Sequence, residues 1–403
     1  MGPAARRRVR GVRDRRRVRG RHAGARPRRS PHRHPVRPVD HRRRLDRRAR
    51  RRRDRARLHR PVPGAVRTIM PKTQVAVEIT EESVRAIEVS LGRTPTVVAA
   101  GEVPVPPGAA KDSEVLDRDA VAVALQRLWA EARISQRNVV LGVGNRRILV
   151  REHSTQLTNP AQIRQALPFE VQDRLPVPVD QAVLDFVPTA QDDRGVHGLL
   201  VAAVAEHMEE LVGALDKARL RPLSIDLVAF GYARALATLV EPGRTGLLVG
   251  IGEHTTHIVI ATDGVPRFVR VVPLDIVDAA PPDEPAPASE PLRRRRAATV
   301  ESDARDALSP AVQTALIDLV GRLRSTVAFY RDRANAAPID IAFVTGTHAA
   351  HPRLVEAIAT AAGAPVTPVS VSDLVPAAPG LALPVGTAAR LTGTAALLQG
   401  GVS

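Results

Sequence analysis

Residues 245–272 read TGLLVGIGEHTTHIVIATDGVPRFVRVV, and they decide the fold. Apolar and β-branched runs at 246–251, 256–261 and 267–272 are separated by glycine-containing breaks short enough only for hairpin turns, which predicts a three-stranded meander. About 170 residues earlier the same plan occurs at 75–79 (VAVEI), 83–89 (SVRAIEV) and 96–100 (TVVAA). A supersecondary unit that recurs at such a distance predicts an internally duplicated fold.

Outward from these meanders, strands and helices alternate. An amphipathic helix at 119–132 places Val121, Ala124, Leu125 and Leu128 on one face behind an Asp cap, and strands at 138–141 and 147–151 flank the turn 142–145. A new unit opens with Thr158-Asn159-Pro160, which caps a helix to about residue 174 with a kink at Pro168. Strands at 182–187 and 198–204, a helix at 206–219, a strand at 222–225 and a helix at 226–239 capped by Asp226 lead to the second meander. Beyond it, the Pro-, acid- and Arg-rich stretch 279–298 predicts a solvated loop. A long helix from Ser309-Pro310 to about 333, a strand at 340–344, a helix at 352–362, a short strand at 365–368 and a closing helix at 385–398 complete an α/β or α+β chain.

The 403 residues carry 60 Lys and Arg against 42 Asp and Glu, but the formal charge of +18 describes no part of the molecule. Residues 1–69 contain 28 Arg, no Lys, no Glu and 4 Asp, so the remaining 334 residues hold 32 basic and 38 acidic side chains. The body is therefore mildly acidic, and the total charge is no sign that it binds nucleic acid. With no aromatic residue and no hydrophobic period, 1–69 is expected to be disordered. The compositional break, and the 57 Arg among 60 basic residues, predict a native start at or near Met70. If translated, the segment reads instead as a basic arm for phosphates or an anionic membrane.

The lack of cysteine excludes disulfides, thiolate zinc sites and a cysteine nucleophile. No run of about 18 apolar residues exists for a membrane helix, and the Arg-rich start lacks the apolar stretch of a signal peptide, so a cytoplasmic location is expected. One Trp, two Tyr and six Phe leave little for base stacking.

Three places could cradle phosphate. The turn Glu78-Ile79-Thr80-Glu81-Glu82-Ser83 is the first. Gly250-Ile251-Gly252-Glu253-His254-Thr255-Thr256 is the second, with two glycines for close backbone approach and two threonine hydroxyls. The third is Thr345-Gly346-Thr347-His348, which ends a buried strand before a helix. By itself the second is more simply read as an ordinary turn and the third as an ordinary strand-to-helix loop. The pairs His254/His257 and His348/His351 lack a third ligand in sequence, so no metal site is expected. His207 reads as a surface residue, Arg293–Arg296 as a solvated run, and no catalytic constellation emerges from spacing.

The order of these three loops on a duplicated meander resembles the actin/Hsp70-like ATPase superfamily, and more narrowly the PilM family of type IV pilus assembly proteins, over about 74–398. The resemblance rests on Phe169-Glu170 followed by Leu175-Pro176-Val177-Pro178-Val179-Asp180 and Val183-Leu184-Asp185-Phe186. Leu199–Ala203, Ser224-Ile225-Asp226, Arg324-Ser325 and Phe329-Tyr330 continue it. It implies an α/β, actin-like (ribonuclease-H-like duplicated) bilobed fold. The first lobe would be 70–245 with an inserted subdomain at about 138–225, and the second 246–403. It also implies nucleotide binding by Glu78, Ser83, Gly250, Gly252, Thr255, Thr256, Gly346 and Thr347, with ATP and Mg as cofactors. Where the family has Asp-Ile-Gly-Ser-Ser-Ser and Asp-Ile-Gly-x-x-Thr-Thr, this chain has Thr80 for the first glycine and Gly250 for the second acid. Gly346-Thr347 stands for Gly-Gly, and Gly321 for a glutamate. Weak or lost nucleotide binding and no catalysis are therefore expected. The function implied is a cytoplasmic scaffold that binds the N-terminal tail of a PilN-like inner-membrane protein, peripheral to the membrane and linked to the pilus platform and motor ATPases. An active ATPase and a basic-armed nucleic-acid binder are the alternatives.

Overall fold

The computed structural model describes residues 73–145, 147–276, 308–333 and 336–400. The basic segment 1–69 and the loop 279–298 lie outside them. Thr73–Ile79 (β1), Ser83–Ser90 (β2) and Thr96–Pro104 (β3) form the first meander, followed by the ribbon Ala110–Lys111 (β4) and Glu114–Val115 (β5) and the helix Arg118–Glu131 (α1). Asn138–Val143 (β6), Leu149–Thr155 (β7), Pro160–Val171 (α2), Ala182–Asp192 (β8), Gly195–Val204 (β9), Ala205–Lys217 (α3), Arg221–Leu227 (β10) and Val228–Leu239 (α4) come next. Thr245–Ile251 (β11), Thr255–Thr262 (β12) and Val265–Pro273 (β13) are the second meander. Pro310–Arg331 (α5), Ile341–Gly346 (β14), Pro352–Ala362 (α6), Val366–Pro368 (β15), Val371–Leu374 (α7), Val385–Arg390 (α8) and Thr392–Ala396 (α9) complete the described chain.

The duplication is visible in the sheets. One has the order β10-β6-β1-β2-β3 and the other, read the same way, β15-β14-β11-β12-β13. In each, the meander is antiparallel and its first strand continues into two parallel neighbours. Parallel neighbours need crossovers, which the helices supply. Both faces of β1, β2, β11 and β12 are covered, which explains their largely apolar runs. Val75, Val77 and Ile79 meet Leu125, Leu128, Leu211 and Leu215 of α1 and α3. Ala76 and Ile87 share a middle layer with Val228 and Leu236 of α4 and with Leu248 and Val259 of the second sheet. On the far side, Leu247, Val249 and Ile251 pack on Leu319 and Leu323 of α5 and Ile358 of α6. Because successive strand residues face opposite ways, Glu78 follows Ala76 and Gly250 follows Leu248 onto the middle layer. The two turns are thereby aimed at one cleft.

Between β6 and α3 an antiparallel sheet of order β7-β9-β8 is inserted, with α2 packed on it through Leu167, Val171 and Leu200. Asn159 caps α2, accepting from the Ala161 amide at 2.9 Å, with Pro160 in the first turn.

Several local expectations need correction. The cap of α1 is Asp117, whose carboxylate accepts from Asp119 and Ala120 amides at 2.9 and 3.0 Å. Asp226 is the sixth residue of β10 and pairs with Arg234, while α4 starts at Val228 without a side-chain cap. The closing helix is two short ones joined at Leu391, where the Thr392 hydroxyl donates to the carbonyls of Ala388 and Ala389 at 3.1 and 2.9 Å and competes with the helical ladder. His207 is largely covered, with Nδ1 3.1 Å from the Glu114 carboxylate.

Candidate functional site

The two hairpin turns meet across the cleft. The β1–β2 turn closes on itself: the Thr80 amide donates to the Ser83 carbonyl at 2.9 Å, and the Ser83 amide to the Thr80 hydroxyl at 3.1 Å. In the β11–β12 turn the Gly252 amide donates to the Thr255 carbonyl at 3.0 Å. A Cβ at Gly252 would lie 2.7 Å from that oxygen, so the turn needs glycine. Arg85, on β2 and 5% exposed, ties the turns together. Its Nε donates to Glu102 at 2.8 Å and its Nη2 to Glu253 at 3.2 Å. Glu102 also accepts from Arg390 Nη2 at 2.7 Å, which brings in α8. A second bridge runs from Glu82 to His254, whose Nδ1 lies 2.6 Å from Asp275.

This network sets the protonation of its members. Burial by itself would raise the Glu102 carboxyl, but hydrogen bonds and charge from Arg390 and Arg85 outweigh it and hold it at about 2. Glu82 moves the other way, to about 7, through burial and then the neighbouring Glu253 carboxyl, with His254 opposing. Glu78 is also pushed up by burial, against the Arg85 charge and a 2.9 Å hydrogen bond from the Thr394 hydroxyl.

The interior of the cleft is filled by side chains. The Tyr232 ring of α4 lies on Gly250, so a Cβ there would be 2.5 Å from Tyr232 Cε2 and 2.7 Å from its hydroxyl oxygen. Gly393 leaves the same room on the other side, where a Cβ would be 2.8 Å from that oxygen. The His257 ring, near which a Cβ at Gly144 would come within 2.8 Å, donates from Nε2 to the Gly144 carbonyl at 3.1 Å. Burial takes His257 down to about 4, so it is neutral at pH 7. The open space left is about 50 Å³, room for a handful of waters. A magnesium triphosphate does not fit these residues. The open space is smaller than three phosphoryl groups need, Tyr232 stands where the side chain of an acid at position 250 would be, and the acids Glu81 and Glu253 stand in the lining beside Arg85 and Arg390, which are already held by carboxylates.

Of the residues implied by the resemblance, Glu78, Gly250, Gly252 and Thr255 line this cleft. Ser83 lies beside it, its hydroxyl 2.9 Å from Glu102. Thr256 is fully buried, and its hydroxyl has no hydrogen-bond partner. Gly346 and Thr347 lie directly behind the β11–β12 turn, against Ile251, which lines the cleft. Gly346 (φ +97°) ends β14 so close to β11 that a Cβ would be 1.9 Å from the Ile251 oxygen, to which the Thr347 amide donates at 2.9 Å. Gly321 faces open space on α5. Arg85, Glu102, Tyr232 and Arg390 escaped sequence reasoning. The signal available was the charge of Arg85 inside a strand of largely apolar residues, with Glu102 as its cross-strand partner.

A second feature lies between the inserted sheet and the first lobe. β8 is an edge strand of the one and β10 an edge strand of the other. A groove of about 640 Å³ runs between them, lined by Val183, Val187, Val201, Ile225, Leu227 and Phe230. Val183 and Ile225 are 49% and 41% exposed, and Leu223 beside them 62%. Within the subdomain, Glu170 ties α2 to β7: its carboxylate contacts His153 Nε2 at 2.8 Å and the Thr155 hydroxyl at 3.1 Å.

Residues 76–271 match the family described as type IV pilus assembly protein PilM. Among solved structures, the PilM–PilN type IV pilus biogenesis complex matches with a TM-score of 0.67 at 23% identity, over 80% of this chain and 97% of that one. Ethanolamine utilization protein EutJ from Carboxydothermus hydrogenoformans matches at a TM-score of 0.44 and 11% identity, over 85% of this chain and 92% of its own. A protein with an actin-like ATPase fold from Bacteroides thetaiotaomicron has a TM-score of 0.44 at 8% identity, over 83% and 99%.

Proposed function

The chain is a PilM-like, bilobed α/β protein of the actin-like fold, and we propose that it serves type IV pilus assembly by holding the N-terminal tail of a PilN-like inner-membrane protein in the apolar groove between β8 and β10. The observation that carries this reading is the pair of facing edge strands. Each offers unpaired backbone donors and acceptors to an extended peptide, while the valine, isoleucine and leucine side chains between them form pockets for alternate residues. Each apolar side chain of a tail fully buried there is worth about 1.5–3 kcal/mol. Anchored this way, a chain whose described helices include none long and apolar enough to cross a membrane would work at the cytoplasmic face of the inner membrane, between the platform and its motor ATPases.

In this proposal the cleft at the two hairpins is a structural tie between lobes, with nucleotide binding weak or lost. The packing of Tyr232 on Gly250 and the ion pairs of Arg85 support that reading. Calorimetric titration of the full chain with a synthetic tail peptide tests the proposal. Binding with a negative heat-capacity change is expected, and Val183→Asp, on an exposed groove wall, should weaken it without shifting the thermal midpoint. Absence of heat at about millimolar peptide, a ceiling of about −4 kcal/mol, removes the proposal.

A further inference from the structure

A third surface is built on the other edge of the inserted sheet and on an edge of the second-lobe sheet. β7 pairs only with β9, and β13 only with β12. Between these two edges lies an open groove of about 850 Å³. Its charge is one-sided. Six arginines reach it, Arg147, Arg151 and Arg174 from the inserted subdomain and Arg267, Arg270 and Arg333 from the second lobe, against the single acid Glu152. Arg147 lies 3.2 Å from Glu114, and Arg333 contacts Glu152. The other four have no carboxylate within ion-pair distance among the described residues. Arg174 donates to the Glu152 carbonyl at 2.8 Å and contacts His153 Nδ1 at 3.2 Å, and Arg270 donates to the Thr326 hydroxyl at 3.0 Å. At one side of the groove Phe329 is 62% exposed, 5.9 Å from the Phe268 ring, over which Arg333 sits at 5.7 Å.

Such a cluster is not a general property of this body, whose described and undescribed residues beyond 69 carry more acid than base. Four guanidinium groups without carboxylates repel one another, and the two strand edges have no neighbouring strand among the described residues, their Val150, Glu152 and Arg267 carbonyls being met by the side chains of Arg151, Arg174 and Arg333. A single kind of ligand answers both. An extended polypeptide pairs its main chain with an edge, and carboxylates on it accept bidentate hydrogen bonds from arginine. We propose that the groove between β7 and β13 is a docking site for an extended, acidic segment of a partner protein, which adds as a strand to one edge while its carboxylates meet Arg151, Arg174, Arg267 and Arg270. The exposed Phe329 ring supplies an apolar anchor at the side. This surface is separate from the β8–β10 groove and does not rest on the function proposed for it.

The test uses the full chain and a fluorescein-labelled peptide of about ten alternating Glu and Val residues, the length of a strand, with a Lys/Val peptide as its counterpart. Fluorescence anisotropy should show binding of the acidic peptide only, weakening as salt rises. The pair Arg151→Glu with Arg270→Glu should weaken it by about tenfold or more, equivalent to about 1.4 kcal/mol. The pair Arg164→Glu with Arg353→Glu, exposed and not in the groove lining, should leave it within about twofold, since it changes net charge equally. Phe329→Ala removes an exposed ring without touching the core and should weaken binding about threefold or more, which keeps the test decisive if the charge reversals unfold the chain. A photoreactive group on the peptide should crosslink within 147–151 or 267–271. Crosslinks confined to 1–69, equal weakening by the two charge-reversal pairs, or no effect of Phe329→Ala together with loss of anionic-vesicle binding in the Arg151/Arg270 variant would each overturn the proposal, the last in favour of a lipid surface.

Discussion

Replacing Glu102 by Gln removes one of the charges that tie the two lobes together. Glu102 sits between the Arg85 and Arg390 side chains, 7% and 31% exposed as side chains, at 2.8 and 2.7 Å, and its own side chain is 13% exposed. Its carboxyl is held at about 2 instead of the ordinary 4.5, which corresponds to about 3 kcal/mol of stability at neutral pH. Loss of one partner from a largely buried pair typically costs about 3–5 kcal/mol, because Arg85 keeps its charge with only Glu253 in contact. The two figures agree. The sign follows from the depressed value: the contribution is fully present above about 4.5 and is lost as pH falls through about 2. Urea unfolding of wild type and Glu102→Gln over a pH series measures this directly. The difference should be about 3 kcal/mol at pH 7 and shrink steadily below pH 4.5. A difference that is the same at pH 3 and pH 7 would refute the ion-pair argument and leave only lost packing.

Gly250→Asp, which restores the acid of the resembled loop, should destabilise the protein by at least about 2 kcal/mol, since its Cβ meets the Tyr232 ring. Adding Tyr232→Ala should recover about 1 kcal/mol or more of that loss in a double-mutant cycle. Wild type at millimolar Mg-ATP should show neither thermal stabilisation nor phosphate release above background. Steady release that disappears in Thr255→Ala would show that the hairpins still work on nucleotide. Glu82, raised to about 7 by burial and Glu253, makes stability fall as pH climbs from about 4.5 through 7. Glu82→Gln should flatten that slope, worth about 1–2 kcal/mol after solvent screening, in thermal melts across the same window.

The duplication and the α/β class were legible in the sequence because they are written in short-range patterns. The two meanders declare themselves by apolar runs and glycine turns, and the start of α2 by Asn159-Pro160, features that depend only on residues a few positions apart. The positions equivalent to a phosphate clamp, Glu78 and Gly250, could also be located, since strand alternation puts both on the face shared by the lobes. Helix ends were less secure. Asp117, Asp119 and Asp226 are all acceptable caps by composition, and the choice among them is made by where the strand before each helix stops pairing.

What fills the cleft was decided only when the chain folded. Arg85 and Glu253 are 168 residues apart, and Glu102 and Arg390 are 288 apart. No local period reports that they converge. Gly250 by itself reads as a missing acid, whereas in the folded molecule it is the space that lets the Tyr232 ring enter. Likewise Val183 and Ile225 are unremarkable members of two alternating strands until sheet order makes both strands edges and sets them across one groove. A sequence specifies which face of a strand is apolar through neighbours two residues away. Which strand is left without a partner, and which side chain occupies a shared space, depends on the mutual position of two sheets, and that is fixed by the sum of packing in the middle layer rather than by any segment alone.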